Sequence, residues 1–206
     1  MINPEHRKPA WLRNRLLDAL KEFNLSPDLR LLEDEKTDDG QGHGAVGERA
    51  IAHRLAIHLE QEFGKFGYPN KEAKIAVDCE YNRHRGAVKA HLVKDKIRQR
   101  VEAAKGNALK EHPEKKGWYV FTALPDIIVH QRGDDDYNLL VVELKRASNT
   151  IDDELDNRKL ELFVAQDYES GYGYTLGASV IAYDADEFGA RRLEPGKLFV
   201  DPKLAR

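Results

Sequence analysis

The chain has 206 residues, 41% of them hydrophobic and 33% charged, a size at which one core buries roughly 70% of the unfolded surface without disulfides or structural metal. Cys79 is the sole cysteine, so no internal disulfide forms, and no apolar run approaches the ~18 residues of a membrane span. The start MINPEHRKPAWLRN lacks the apolar stretch of a secretory signal, which predicts a single domain over residues 1–206, cytoplasmic and without a membrane partner.

Residues 9–24 set Trp11, Leu12, Leu16, Ala19, Leu20 and Phe23 at three- and four-residue spacing behind Pro9, which predicts a first helix. Residues 26–44 are polar, acidic and glycine-bearing and read as a connection, so 1–44 form an N-terminal helix and loop. A second helix follows, with Ile51, Leu55, Leu59 and Phe63 on one side and Gly64 with Gly67 as its stop. The period then changes. Residues 74–81 (KIAVDCEY) alternate apolar and polar and predict a half-buried strand.

Residues 82–116 differ in charge from everything around them. They hold eleven basic and four acidic side chains, an excess of +7, which leaves −10 for the rest of a chain whose net charge is −3. We read them as an insertion within the domain, helical over roughly residues 88–109 on their Ala, Lys and Leu content, with Gly106 and Pro113 as interruptions. Such an excess neutralises phosphates and releases counterions; the plain alternative is a solvated helical surface.

Beyond it, residues 118–123 and 126–130 are β-rich, and the turn RGDDDYN joins the latter to the apolar run LLVVELK at 139–145, a hairpin. Residues 152–169 predict a helix with Leu155, Leu162, Phe163 and Gln166 on one side and acids in its first turn. A strand at 174–183 and a short edge strand at 197–200 complete an α/β chain with a mixed central sheet.

Three residues break the pattern of that hairpin. Asp126 opens one strand after Pro125, while Glu143 and Lys145, two apart on the next, share a face. A strand of LLVV character is built for burial, and burying Glu and Lys there costs several kcal/mol unless they pair or bind metal. Local violations of this kind are expected where function chose the residue. If the hairpin brings Asp126 beside Glu143, two carboxylates meet at a site for a hard divalent cation, magnesium or manganese as its substitute. Lys145 then neutralises charge on a pentavalent phosphate, or orients and deprotonates an attacking water. The plain alternative makes Asp126 a turn residue and Glu143 with Lys145 a solvent-facing edge pair; Leu139 and Val141 on the same face argue against it.

Read as Pro125-Asp126, Glu143 and Lys145, the segments PDIIVH and VVELK resemble the PD-(D/E)XK motif of the restriction-endonuclease-like nucleases. The likeness covers roughly residues 47–184. It implies an αβββαβ core with a mixed central sheet flanked by helices, carrying the motif on its second and third strands; the N-terminal helix and the basic helical insertion are additions. It also implies that Asp126 and Glu143 ligate the metal and that Lys145 is the catalytic lysine of phosphodiester hydrolysis.

Glu48, on the helical face of Ile51, Leu55 and Leu59, matches the glutamate such nucleases often carry before the first core strand, and the resemblance makes it a further catalytic and metal-ligating candidate. Its alternative is a first-turn acid favoured by the helix dipole. By the same resemblance Lys159 approaches the scissile phosphate; otherwise it snorkels from a partly buried face. Asp78 and Glu80 either line the site with Arg83 or form the polar face of the first core strand, and the second reading is preferred.

The eight histidines have no zinc spacing, Cys79 has no nucleophile signature, and GYGYTLG precedes no helix, so zinc, thiol and phosphate-loop chemistry are set aside. The resulting expectation is a magnesium-dependent endonuclease acting on DNA, its backbone gripped by Lys94, Lys96, Arg98 and Arg100. The rivals are a catalytically inactive binding module for nucleic acid or protein on the same fold, and a hydrolase of smaller phosphoesters.

Overall fold

The computed structural model describes residues 3–32, 46–68, 74–80, 83–84, 87–88, 90–94, 98–99, 102, 108–122, 124–134, 136–148, 153–165, 172–183 and 191–200. A short 3-10 turn, Pro4–Arg7, leads into α1 (Pro9–Leu25), and a second, Pro27–Leu32, follows it. Helix α2 (Glu48–Gly64) precedes β1 (Ile75–Cys79). Small strands come next: β2 (Arg83–His84), β3 (Ala87–Val88), β4 (Ala90–Val93), β5 (Lys110–His112) and β6 (Lys115–Thr122). The chain continues through β7 (Ile127–Gln131), β8 (Asn138–Arg146), α3 (Asp153–Val164), β9 (Leu176–Tyr183) and β10 (Arg192–Phe199).

The main sheet has the order β1-β7-β8-β9-β10. Only the β8–β9 pair is parallel; β1–β7, β7–β8 and β9–β10 are antiparallel. The protein is therefore α/β with a mixed five-stranded sheet flanked by helices. The parallel pair needs a crossover, and α3 supplies it.

Alternation assigns the two faces. Ile127, Val129, Leu140, Val142, Leu144, Ala178 and Val180 turn to one side, where Leu12, Leu16 and Phe23 of α1 and Ile51, Leu55 and Leu59 of α2 cover them. Ile128 and Val141 turn to the other side and meet Leu160, Phe163 and Val164 of α3. Strand β8 is hydrophobic on both faces because it is covered on both. The close seat of α3 depends on Gly177 of β9, where an added Cβ would stand 3.1 Å from Val164 Cγ1 and 3.3 Å from Phe199 Cβ.

The basic segment differs from expectation. Within the span read as a helix, Ala90–Val93 is a strand, antiparallel to β6 in a sheet of order β4-β6-β5. Val88 belongs to β3, Lys94, Ala108 and Leu109 are in neither helix nor strand, Arg98, Gln99 and Glu102 are helical, and the other residues of that stretch are outside the described residues. The reason is tertiary: AHLV has a mild helical composition, but it finds a partner strand in β6, and Val93 is buried with Tyr119 against the α3 cluster. Two further boundaries move. Helix α3 ends at Val164 rather than residue 169, and Gln166 lies outside the described residues. Strand β10 begins at Arg192, earlier than expected, and carries Pro195 at a register shift, which a sheet edge tolerates. Among the described residues, no helix is long and apolar enough to cross a membrane.

Candidate active site

The hairpin aligns its acids. Ile127 pairs with Val142, so one step back along β7 brings Asp126 level with Glu143 on the α3 side of the sheet. The Leu144 N–H donates to Asp126 Oδ2 at 2.7 Å, which fixes that carboxyl across the strand pair. Glu48 arrives from the first turn of α2, around the strand end, and its Oε1 accepts the Arg146 N–H at 2.9 Å. The three acids expected to act together thus converge on the end of β8.

Helix α3 closes the site from above. Lys159 Nζ lies 2.8 Å from Asp156 Oδ1 and 3.3 Å from Glu143 Oε2. Lys145, two residues along β8 from Glu143, has its ammonium 3.8 Å from Asp156 Oδ2. Asp156 therefore joins both lysines. Sequence reasoning missed it, because an acid in the first turn of a helix is ordinarily explained by the dipole alone. Its i,i+3 relation to Lys159 was the available signal.

The electrostatics separate this cluster from an ordinary buried ion pair. Glu143 is only 6% exposed, and its Oε1 has no hydrogen-bond partner among the described residues. Burial pushes its carboxyl up to about 8; Lys159 pulls the other way, and the Asp126 and Asp156 charges add to the rise. Burial also raises Asp126, to about 6, against the pull of the Leu144 N–H and Lys159, with Glu48 and Asp156 contributing. Burial disfavours the charge of Lys159, yet Glu143 and Asp156 more than compensate and hold the ammonium above its usual range.

Asp78 shows the contrast. Burial pushes its carboxyl up as well, but hydrogen bonds from Arg132 and His130 outweigh that and keep it well below the ordinary range. His130 Nε2 is 2.9 Å from Asp78 Oδ2, and Arg132 holds the same carboxyl. Glu80 pairs with Arg49 at 2.5 Å. Asp78 on β1 and Glu80 just past its end are thus satisfied locally, and the Arg83 side chain is outside the described residues. Asp78 shows what a partnered carboxylate looks like here; Glu143 and Asp126 are not partnered in that way.

With all four carboxyls ionised, Glu48, Asp126, Glu143 and Asp156 against Lys145 and Lys159 leave two negative charges, the complement of one divalent cation. Among the described residues no group of three or more His, Cys, Asp or Glu side chains is arranged to hold a metal as it stands. Magnesium does not require such a cage: it keeps several waters and binds through one or two carboxylates and substrate phosphates. The unpartnered Glu143 Oε1, with Asp126 level beside it, fits that donor set.

A pH dependence follows. Both carboxyls bind a proton more tightly folded than unfolded, so the folded metal-free chain takes up protons and its stability falls as pH rises, between about pH 4.5 and pH 8 for Glu143. Thermal melts in chelator are expected to show that decline, of a few kcal/mol at most, and Glu143→Gln should flatten its upper part. Magnesium should oppose it, because the ion binds the deprotonated carboxylates. A melting temperature that rises through this window would contradict the protonation scheme.

Of the basic candidates, Lys94 is exposed with its Nζ 4.7 Å from the centroid of the Trp118 ring, and Arg98 lies over Tyr119 and 3.2 Å from Glu102. Lys96 and Arg100 are outside the described residues. Lys159 faces the carboxylates rather than open solvent.

Compared with protein-family models, with curated proteins and with solved structures, the chain gives no match in any of the three.

Proposed function

We propose that the chain is a metal-dependent nuclease that hydrolyses phosphodiester bonds, with DNA as its preferred substrate. The carrying observation is the buried Glu143 with an unpartnered oxygen, level with Asp126 and two residues from Lys145 on a central strand. The order α2, β1, β7, β8, α3, β9, interrupted by the basic segment, is the order that the restriction-endonuclease-like resemblance calls for, and it supports the same reading.

In this proposal Asp126 and Glu143 hold the ion, with Glu48 beside them. A bound divalent cation supplies Lewis-acid polarisation of a phosphate oxygen and lowers the pKa of a water. The chain does the rest. Leu144 fixes Asp126 through its backbone, and Arg146 fixes Glu48 in the same way. Lys145 offers its ammonium to the charge that develops on phosphorus as the water oxygen attacks and the leaving oxygen departs. The low exposure of the Glu143 and Lys145 side chains, 7% and 14%, strengthens each of these interactions.

The test is incubation of the purified chain with single- and double-stranded DNA and RNA in magnesium, manganese or chelator. Metal-dependent cleavage is expected, falling by about 10²-fold or more in Glu143→Gln, with fold retained because the amide fills the same volume without a charge to bury. Failure of wild type to cleave any of these substrates would leave the rival, a binding module without turnover. That rival has one observation on its side: Lys159 already sets a cation against Glu143.

A further inference from the structure

The three-stranded sheet in the basic segment has two unlike faces. Val93 pairs with Tyr119, and both pack into the cluster under α3, which marks the inner face. By alternation Leu92, Trp118 and Val120 belong to the outer face. Lys94, Lys110 and Lys116 are exposed around it. Trp118 is only half-buried, and what stands over its ring is a cation, Lys94 Nζ. An indole on that outer face, with one ammonium over its ring and exposed lysines on the same face of the sheet, contributes nothing to the core on the other side.

The segment carries an excess of +7 while the rest of the chain carries −10, so the complementary partner is a polyanion. An acidic peptide would satisfy the lysines and leave the indole without a role. A duplex keeps its bases stacked on one another and shows only their edges. A single strand satisfies both: an unpaired base stacks on the ring, and a phosphate draws Lys94 off it. Strand β6 also runs on toward the carboxylates. Trp118 and Asp126 are eight residues apart, at most about 26 Å of extended chain.

We propose that the outer face of β4, β6 and β5 binds a single-stranded segment of nucleic acid, with a base stacked on Trp118 and the phosphates beside it held by Lys94, Lys110 and Lys116. This names the substrate form of the proposed nuclease and rests on that reading for the fate of the strand, although the binding itself needs no metal.

The experiment is binding in chelator, by fluorescence anisotropy, of a labelled oligothymidylate of about 16 nucleotides and of a duplex of equal length. Wild type should prefer the single strand. Trp118→Val, which suits a strand but offers no ring, should weaken single-strand binding about 5- to 100-fold with little change for duplex, and Trp118→Phe should retain most of it. Lys94→Met should lower the salt slope by about one. Unchanged single-strand affinity in Trp118→Val, or an equal loss for both forms, overturns the proposal. If Trp118→Val does not fold, Trp118→Phe and Lys94→Met decide: a loss of the single-strand preference in the Phe variant, or an unaltered slope in the Met variant, overturns it. Cleavage that persists when Trp118 proves irrelevant removes the platform and leaves the nuclease; Trp118-dependent binding without turnover in any metal does the reverse.

Discussion

Replacing Lys145 with Ala is expected to lower metal-dependent cleavage by about 10²- to 10³-fold, the usual loss when one preorganised electrostatic group is taken from a charged transition state. The reason is position. Lys145 lies on a strand paired on both sides, its side chain 14% exposed and its ammonium 3.8 Å from Asp156, so the charge sits in a fixed, largely covered position. Folding should survive, because Asp156 keeps Lys159 at 2.8 Å when Lys145 is gone. Single-turnover rates and a thermal melt on the same preparation separate the two effects. Full activity in a folded Lys145→Ala protein would remove the lysine from the mechanism.

The second large effect concerns Lys159. Lys159→Met should destabilise the metal-free chain by about 1–3 kcal/mol, since it leaves Asp156 and Glu143 Oε2 without the donor they share. It should also tighten magnesium binding by roughly tenfold or more, because a fixed positive charge near the carboxylates is lost and two like charges are less screened. Melts in chelator and in magnesium, with calorimetric titration of the ion, measure both. Weaker or unchanged magnesium affinity would mean that Lys159 does not compete for the position the ion takes.

The sequence carried the long, strongly periodic elements well: α1, α2, β1, the β7–β8 hairpin, α3 and β9 follow from apolar spacing and its change of period. Asp126, Glu143 and Lys145 were legible for the opposite reason, since they interrupt that pattern on a strand otherwise fit only for a core. What failed was decided by contacts distant in sequence. Residues 90–93 became a strand because β6 lies beside them, and Asp156 joined the site because α3 crosses over β8 at one height. No local propensity encodes either. Glu48 was visible as a carboxyl on an apolar helix face, but that it caps the Arg146 amide depends on where α2 begins relative to the end of β8.

That height has its own determinant. Gly177 sits opposite Val141 on β9, beneath Leu160 and Val164, and α3 rests almost directly on backbone there. A single added Cβ would act as a shim, forcing Val164 and Phe199 to give by a few tenths of an ångström. Tilted about that point, the helix would lift its N-terminal half, where Asp156 and Lys159 hang over Glu143. Tolerance of position 177 to alanine is therefore a gauge of how much slack the ammonium–carboxylate spacing has.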